Sequence, residues 1–299
     1  MTTTVMITGG GGFIGRHLAG RLSGEGYRVV GISRSGAAVE HCDATHRAAL
    51  GDSLISVMRQ EDVDAVIHCA NHAGPNEFAI NVDGTRRWFE EATAHGASLQ
   101  ILMSSLSARE DAATDYGRAK HALEETFIAK GGVAFRLGVV IGNGGMFGRI
   151  KRSLARSPLV PLLDNGRGRI YFLGIDYLAS VVEDSIKSDG DGLRGGVWRL
   201  QQPDPCTLLE LMTTIRDQYG FTCRFLPIPS LPIQWALSLS EYLPLKLPIT
   251  STNVKGLRQS RFEEFETDCA RFGYAAVSLV ELVARAARAE EDARIEGSV

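Results

Sequence analysis

The sequence predicts a doubly wound parallel α/β sheet with a small, interleaved C-terminal lobe, and three observations carry that prediction. Short apolar runs at 5–8, 28–32, 65–69, 99–103 and 133–141 have the length and unbroken hydrophobicity of strands buried on both faces. Stretches of helical length and spacing, 15–25, 46–60, 79–95 and 115–130, separate them, as crossover connections of a parallel sheet require. Four consecutive glycines stand where the first strand gives way to the first helix. The composition agrees with a soluble globular chain: 299 residues, 44% hydrophobic, 22% charged, and no run of apolar residues long enough to span a bilayer. With 32 basic and 35 acidic residues the net charge is -3, which argues against nucleic acid or a membrane surface as partner. Five scattered cysteines without a CxxC pair suggest neither a disulfide framework nor a zinc ribbon, and with no signal segment at the start a cytoplasmic location is expected.

The first strand runs into Thr8-Gly-Gly-Gly-Gly-Phe-Ile-Gly15. In that setting Gly9 suits a tight turn, Gly12 lets the backbone approach a pyrophosphate, and Gly15 lets the helix pack on the strand. The helix N-terminus, with Phe13 and Ile14 in its first turn, then points free N–H groups at phosphate charge. A dinucleotide is the ligand such a Rossmann turn holds. The second strand ends near Ser33, where an acidic residue would bond a ribose 2'-hydroxyl. The chain instead has Gly31-Ile-Ser-Arg-Ser35, so Arg34, flanked by Ser33 and Ser35, suits a 2'-phosphate: NADP(H) is preferred and NAD(H) possible. The bland alternative is an arginine that merely faces solvent.

The third apolar run leads into His68-Cys-Ala-Asn-His72, which resembles a metal-ligand cluster. At a strand end, i, i+4 spacing does not bring side chains together, so no metal is expected. The run at 99–103 ends in Ser104-Ser105, at the carboxyl edge where such sheets bind ligands. The next helix opens with Tyr116-Gly-Arg-Ala-Lys120, and i, i+4 puts phenol and ammonium on one face. A lysine there lowers the phenol pKa, fitting Tyr116 for proton transfer near neutral pH. Tyr242-Leu-Pro-Leu-Lys246 repeats the spacing, but Pro244 within it disfavours a helix and no polar strand end precedes it.

Beyond Gly142 the chain becomes loop-rich, with prolines clustered at 227–248. The expected division is a cofactor domain over 1–145 and a substrate lobe over 146–299, with parts of 169–202, notably 169–173 and 197–201, completing the first sheet. Helices are expected to start near Asp176 and Thr207, and a last one to span 278–296. Arg149, Arg152 and Arg156 share a helical face, suited to a solvated surface or an anionic ligand. Trp235, Leu237, Leu239 and Leu243 suit the core of the lobe, or a lipid or partner groove.

Together these pieces resemble the extended short-chain dehydrogenase/reductase family, the nucleotide-sugar epimerases, dehydratases and reductases. The likeness covers nearly the whole chain: TGGGGFIG, CDATHRAAL, DAVIHCA, NVDGT, the SS and YGRAK pair, RLGVVIG and IDYLA. The resemblance implies Tyr116 as acid/base, Lys120 on the nicotinamide ribose and Ser105 on the substrate oxygen. It further implies Asp43 near the adenine, Ala70 at the cofactor backbone, Asn81, Arg149 and Arg152 toward the substrate, and a homodimer built on the helices at 79–95 and 115–130. Leu106 and Ser107 stand where dehydratases of the family carry an acidic pair, which argues against elimination. Leu137, Gly174 and Tyr177 are further departures from the family pattern. The expected activity is epimerisation or reduction of a nucleotide-linked sugar by hydride transfer. The alternatives are an NADPH-dependent reductase of a non-sugar carbonyl and a non-catalytic nucleotide-binding subunit.

Overall fold

A computed structural model describes residues 2–228 and 265–296. In chain order the elements are β1 (Thr4–Thr8), α1 (Phe13–Gly24), β2 (Arg28–Ser33), β3 (Ala44–Arg47), α2 (Ile55–Glu61), β4 (Ala65–His68), α3 (Glu77–Ala94), β5 (Leu99–Ser105), α4 (Asp115–Ala129) and β6 (Val133–Leu137). There follow β7 (Val139–Ile141), α5 (Gly145–Arg156), β8 (Leu159–Leu163), β9 (Arg169–Ile170), β10 (Phe172–Gly174), α6 (Ile175–Lys187), β11 (Val197–Leu200), β12 (Cys206–Thr207), α7 (Leu208–Gln218), β13 (Arg224–Ile228) and α8 (Leu279–Glu296). Two compact units emerge, Met1–Leu137 with Ile175–Leu200, and Gly138–Gly174 with Gln201–Val299.

The first unit is a seven-stranded sheet in the order β11-β6-β5-β4-β1-β2-β3, with every described pairing parallel. Successive residues of its strands bury opposite faces, which is why the runs read as continuous apolar segments rather than alternating ones. Met6, Val30, Ile32 and Val66 pack with Leu54, Met58 and Trp88 on the side of α2 and α3. Leu102 and Ala134 pack with Phe89 of α3 and Leu123 and Phe127 of α4. Helices α1 and α6 contact each other, and Arg21 Nε donates to Glu183 at 2.7 Å. The doubly wound class is therefore the observed one.

Three local expectations change. The helix expected over 46–60 is shorter, because residues 44–47 pair with the free edge of β2, from Val30↔Ala44 to Ser33↔Arg47, and α2 begins only at Ile55. Ladder bonds to an existing edge outweigh a helical first turn that must nucleate alone. The run at 133–141 breaks at Gly138, where an added Cβ would lie 2.6 Å from the Tyr171 carbonyl oxygen. β6 stays in the large sheet, while β7 pairs with β10. Of the stretch 169–202, only β11 joins the large sheet; β9 pairs with β12.

The second unit gathers around Phe147 and Leu154 of α5, Val160 and Leu162 of β8, Leu211, Met212 and Ile215 of α7, and Leu282 and Val283 of α8. The parallel pair β8 and β13 covers one side of this core. Among the described residues no helix is long and apolar enough to cross a membrane. The Tyr242 and Lys246 pair, and Trp235, Leu237, Leu239 and Leu243, lie outside the described residues.

Candidate active site

The glycine turn is compressed as its spacing predicts. Gly9 has φ +68°, and an added Cβ would lie 2.8 Å from the Ala70 backbone; at Gly15 it would lie 2.5 Å from the Gly9 carbonyl oxygen. Gly12 donates to the Gly9 carbonyl at 2.8 Å and caps α1 without a side chain, so the first-turn N–H groups of Phe13, Ile14 and Gly15 have no side-chain acceptor on the cap. The first turn of α1 also lacks acidic residues. A narrow, side-chain-free cradle at a bare helix N-terminus fits a pyrophosphate. Ala70, whose N–H reaches Thr8 Oγ1 at 3.3 Å, forms the opposite wall.

Gly10 donates to the Ile32 carbonyl at 2.9 Å, which sets the turn against the end of β2. There Ser33 Oγ and Ser35 Oγ lie 3.0 Å apart, and Gly36, with φ +71°, folds the chain back under Arg47. Arg47 is the ladder partner of Ser33. Arg34 and Arg47 are both exposed, and among the described residues neither guanidinium has a carboxylate partner. Two unneutralised cations beside the cradle fit a 2'-phosphate. The sequence predicts a helix across Arg47, which hides its place beside Ser33; the β-branched Thr45, two residues before it, is the signal for a strand.

The catalytic candidates lie at the carboxyl end of β5 and the start of α4. Thr114 Oγ1 accepts from the Gly117 N–H at 3.0 Å and caps α4. An added Cβ on Gly117 would lie 2.5 Å from the Ser107 carbonyl oxygen, so this glycine lets the helix start directly against the Ser105–Ser107 loop. Ser105 Oγ accepts from the Ser107 N–H at 3.2 Å and lies 2.9 Å from Ser107 Oγ. Lys120 Nζ sits 5.7 Å from the centre of the Tyr116 ring and donates to the Met103 carbonyl at 2.7 Å. Burial pushes its pKa down to about 8, against an opposing pull from Cys69 and Glu124. One turn further along α4, Glu124 is buried and takes both Nε, at 2.9 Å, and Nη2, at 2.6 Å, of Arg136. Ser104 Oγ donates to the same carboxylate.

Several expected residues fall elsewhere. Asp43 precedes β3, at the amino edge of the sheet, where its carboxylate accepts the Val29 N–H at 2.7 Å. Four residues of strand, roughly 13 Å, separate that level from Ser33, so the carboxylate of Asp43 ties β2 to β3 at the edge opposite the glycine turn. Asn81 is buried with its amide consumed: Oδ1 accepts from His72 N at 2.8 Å, and Nδ2 donates to the carbonyls of His72 at 2.8 Å and Glu77 at 2.7 Å. It clasps the loop after β4 and has no free N–H for a substrate. His68 Nε2 lies 2.9 Å from Gln100 Oε1, and burial pushes its pKa down to about 4. His72 Nε2 lies 3.2 Å from the Pro75 carbonyl, so the two imidazoles serve different partners. Arg149 and Arg152 are exposed on α5, which belongs to the second unit.

The family model described as NAD dependent epimerase/dehydratase family matches residues 5–156. The chain is 32% identical over 176 residues to a protein of Caulobacter vibrioides named ceramide reductase, a match covering 53% of each chain. It thus spans about half the length of that curated relative. UDP-glucose 4-epimerase of Thermotoga maritima superposes with a TM-score of 0.73 at 17% identity, over 98% of this chain and 100% of that one. dTDP-glucose 4,6-dehydratase of Bacillus anthracis, in complex with NAD, does so with a TM-score of 0.70 at 14% identity, over 97% of both. At these identities the structural likeness is one of fold.

Proposed function

Because the chain belongs to the NAD dependent epimerase/dehydratase family, we propose that it is an NADP(H)-dependent reductase that converts a ketone to a secondary alcohol. The observation that carries this reading is the pair of exposed guanidiniums beside the glycine cradle, Arg34 and Arg47, which have no carboxylate partner among the described residues. An enzyme that selects NADP(H) draws on a reducing pool and runs net reduction, whereas an epimerase returns each hydride through one retained dinucleotide. Gly9, Gly12, Phe13, Ile14, Gly15 and Ala70 would hold the pyrophosphate, Ser33, Arg34 and Arg47 the 2'-phosphate, and Lys120 the nicotinamide ribose. Bound NADPH would supply the hydride.

The remaining chemistry belongs to the side chains. Ser105 donates a hydrogen bond to the carbonyl oxygen and orients it. Tyr116 gives its phenolic proton to that oxygen as alkoxide character develops, and the ammonium of Lys120 stabilises the phenolate left behind. Leu106 and Ser107 offer no carboxylate for elimination, which leaves carbonyl and alcohol interconversion. The name of the Caulobacter relative supports a non-sugar carbonyl as substrate. A second reading, epimerisation or reduction of a nucleotide-linked sugar, is supported by the exposed arginines Arg149 and Arg152, which suit a diphosphate. We further place a homodimer contact on the outer faces of α3 and α4, to be checked by light scattering.

Calorimetric titration with NADPH and NADH tests the cofactor assignment. Arg34→Ala and Arg47→Ala should each weaken NADPH about tenfold or more, from the loss of charge-assisted bonds, and leave NADH unchanged; an unchanged ratio would overturn it. NADPH oxidation followed with keto lipids and with UDP-linked 4-keto sugars separates the substrate readings. Tyr116→Phe should lose about 10²- to 10⁴-fold in kcat with whichever substrate is turned over.

A further inference from the structure

Three consecutive residues at the end of β5 carry three different polar groups. The Met103 carbonyl takes Lys120 Nζ, the Ser104 hydroxyl meets Glu124, and Ser105 is the candidate hydroxyl for the substrate oxygen. Residues 116, 120 and 124 fall on one face of α4, four apart each time. Arg136 of β6 is the ladder partner of Ser104, so its guanidinium reaches the same Glu124 carboxylate from the next strand. Glu124 is 1% exposed, and a carboxylate that deep is kept only where its partners are well placed.

We propose that Glu124, clamped by Arg136 and Ser104, is a positioning residue that keeps Lys120 in its ammonium form and fixes the rotation of α4 that presents Tyr116. The groups facing Lys120 are His68 and Cys69 from β4 and its following loop, the Met103 carbonyl from β5, Tyr116 and Glu124 from α4, and Arg136 beyond Glu124 on β6. Burial pushes His68 down to about 4 and the Cys69 thiol up to about 12, so both are neutral at pH 7. Cys69 and Glu124 both pull Lys120 toward its protonated form against burial, and a neutral thiol leaves that task to the carboxylate. Arg136 opposes part of this effect, while its two-pronged grip prevents the carboxylate from turning away. The clamp thus does for the lysine what the lysine does for the tyrosine: it supplies a fixed charge one helical turn away.

The protonation claim stands apart from any reaction, whereas the catalytic consequence rests on the reductase reading. The chain has six lysines, so the side-chain ¹³Cε and ¹⁵Nζ resonances of Lys120 can be assigned by comparison with Lys120→Met and titrated directly in the full-length protein. In the wild type the midpoint should fall near 8. In Glu124→Gln it should fall lower by about one unit or more, the effect of losing an opposite charge nearby; an unchanged midpoint would overturn the proposal. Should Glu124→Gln fail to fold, Glu124→Asp keeps the charge and shortens the reach. Its Lys120 midpoint should stay near 8 while kcat drops several-fold at constant NADPH affinity, and wild-type kcat in that variant would equally sink the idea. If the wild type bound no NADPH, the reductase reading would fail while the titration result stood.

Discussion

A single methyl group at Gly117 would meet backbone on one side and the Ala112 methyl at 2.7 Å on the other, with no flexible side chain to yield. Gly117→Ala should therefore push the start of α4 away from Ser105 by a fraction of an ångström to an ångström, and displacements of that size cost about 100-fold in rate. Because the glycine cradle is untouched, NADPH affinity should stay within a factor of two or so of wild type, and steady-state kinetics beside calorimetry would reveal the split. Lys120 carries a pH signature of its own. Its folded pKa, about 8, lies below the ordinary lysine value of 10.5, so the unfolded chain binds more protons between those limits. Stability from this group therefore rises with pH across that window. Urea midpoints measured at pH 8 and pH 10 should show that rise in the wild type and a smaller one in Lys120→Met. The helix start that carries Tyr116 and Lys120 and the strand end at Ser105 are legible because a helical spacing and a strand end are local patterns. The place of Asp43 is not, because which end of a strand an acid occupies depends on where the strand starts, and the sequence predicts a helix where β3 lies.

The edge strand β3 shows how such a misreading arises and what holds the true element in place. Only four residues long, it is tied down by buried Glu61 at the end of α2, whose carboxylate lies 2.7 Å from His46 Nε2 and also takes Arg28 of β2. None of these three residues is close to another in sequence, so no window of periodicity contains the clamp. Burial alone would raise the Glu61 pKa, but its bonds to Arg28 and His46 outweigh that and hold it below the usual carboxylate value. Its contribution to stability is therefore present above the ordinary value and is lost as pH falls through the lowered one. Glu61→Gln should destabilise the fold by about 1–3 kcal/mol at pH 7, the cost of leaving buried polar groups short of a partner. The deficit should shrink below pH 4 in denaturant titrations. Because β3 ends in Arg47, the same variant should also narrow the preference for NADPH over NADH.

Across the molecule, every residue proposed for cofactor binding or proton transfer, from Gly9 to Lys120, belongs to the first unit. NADPH should accordingly slow amide hydrogen exchange most at 9–15, 33–36, 47–50, 69–70 and 105–120, a pattern that mass spectrometry of peptides can map. The alternation of apolar runs made this unit legible nearly element by element. The second unit is hard to read from sequence because it is stitched from two-stranded pairs, β7 with β10, β8 with β13 and β9 with β12, whose partners lie 33 to 65 residues apart. Pairings of that range leave no mark on local composition. The three successive polar duties of Met103, Ser104 and Ser105 also constrain how related sequences can diverge. Conservative exchanges along β5 preserve the arrangement, but inserting or deleting one residue would turn Ser104 to the opposite face of the sheet and put its neighbours out of step with Lys120 and Glu124 together. Variation in chain length should therefore accumulate in the loops on either side of this strand and be absent within it.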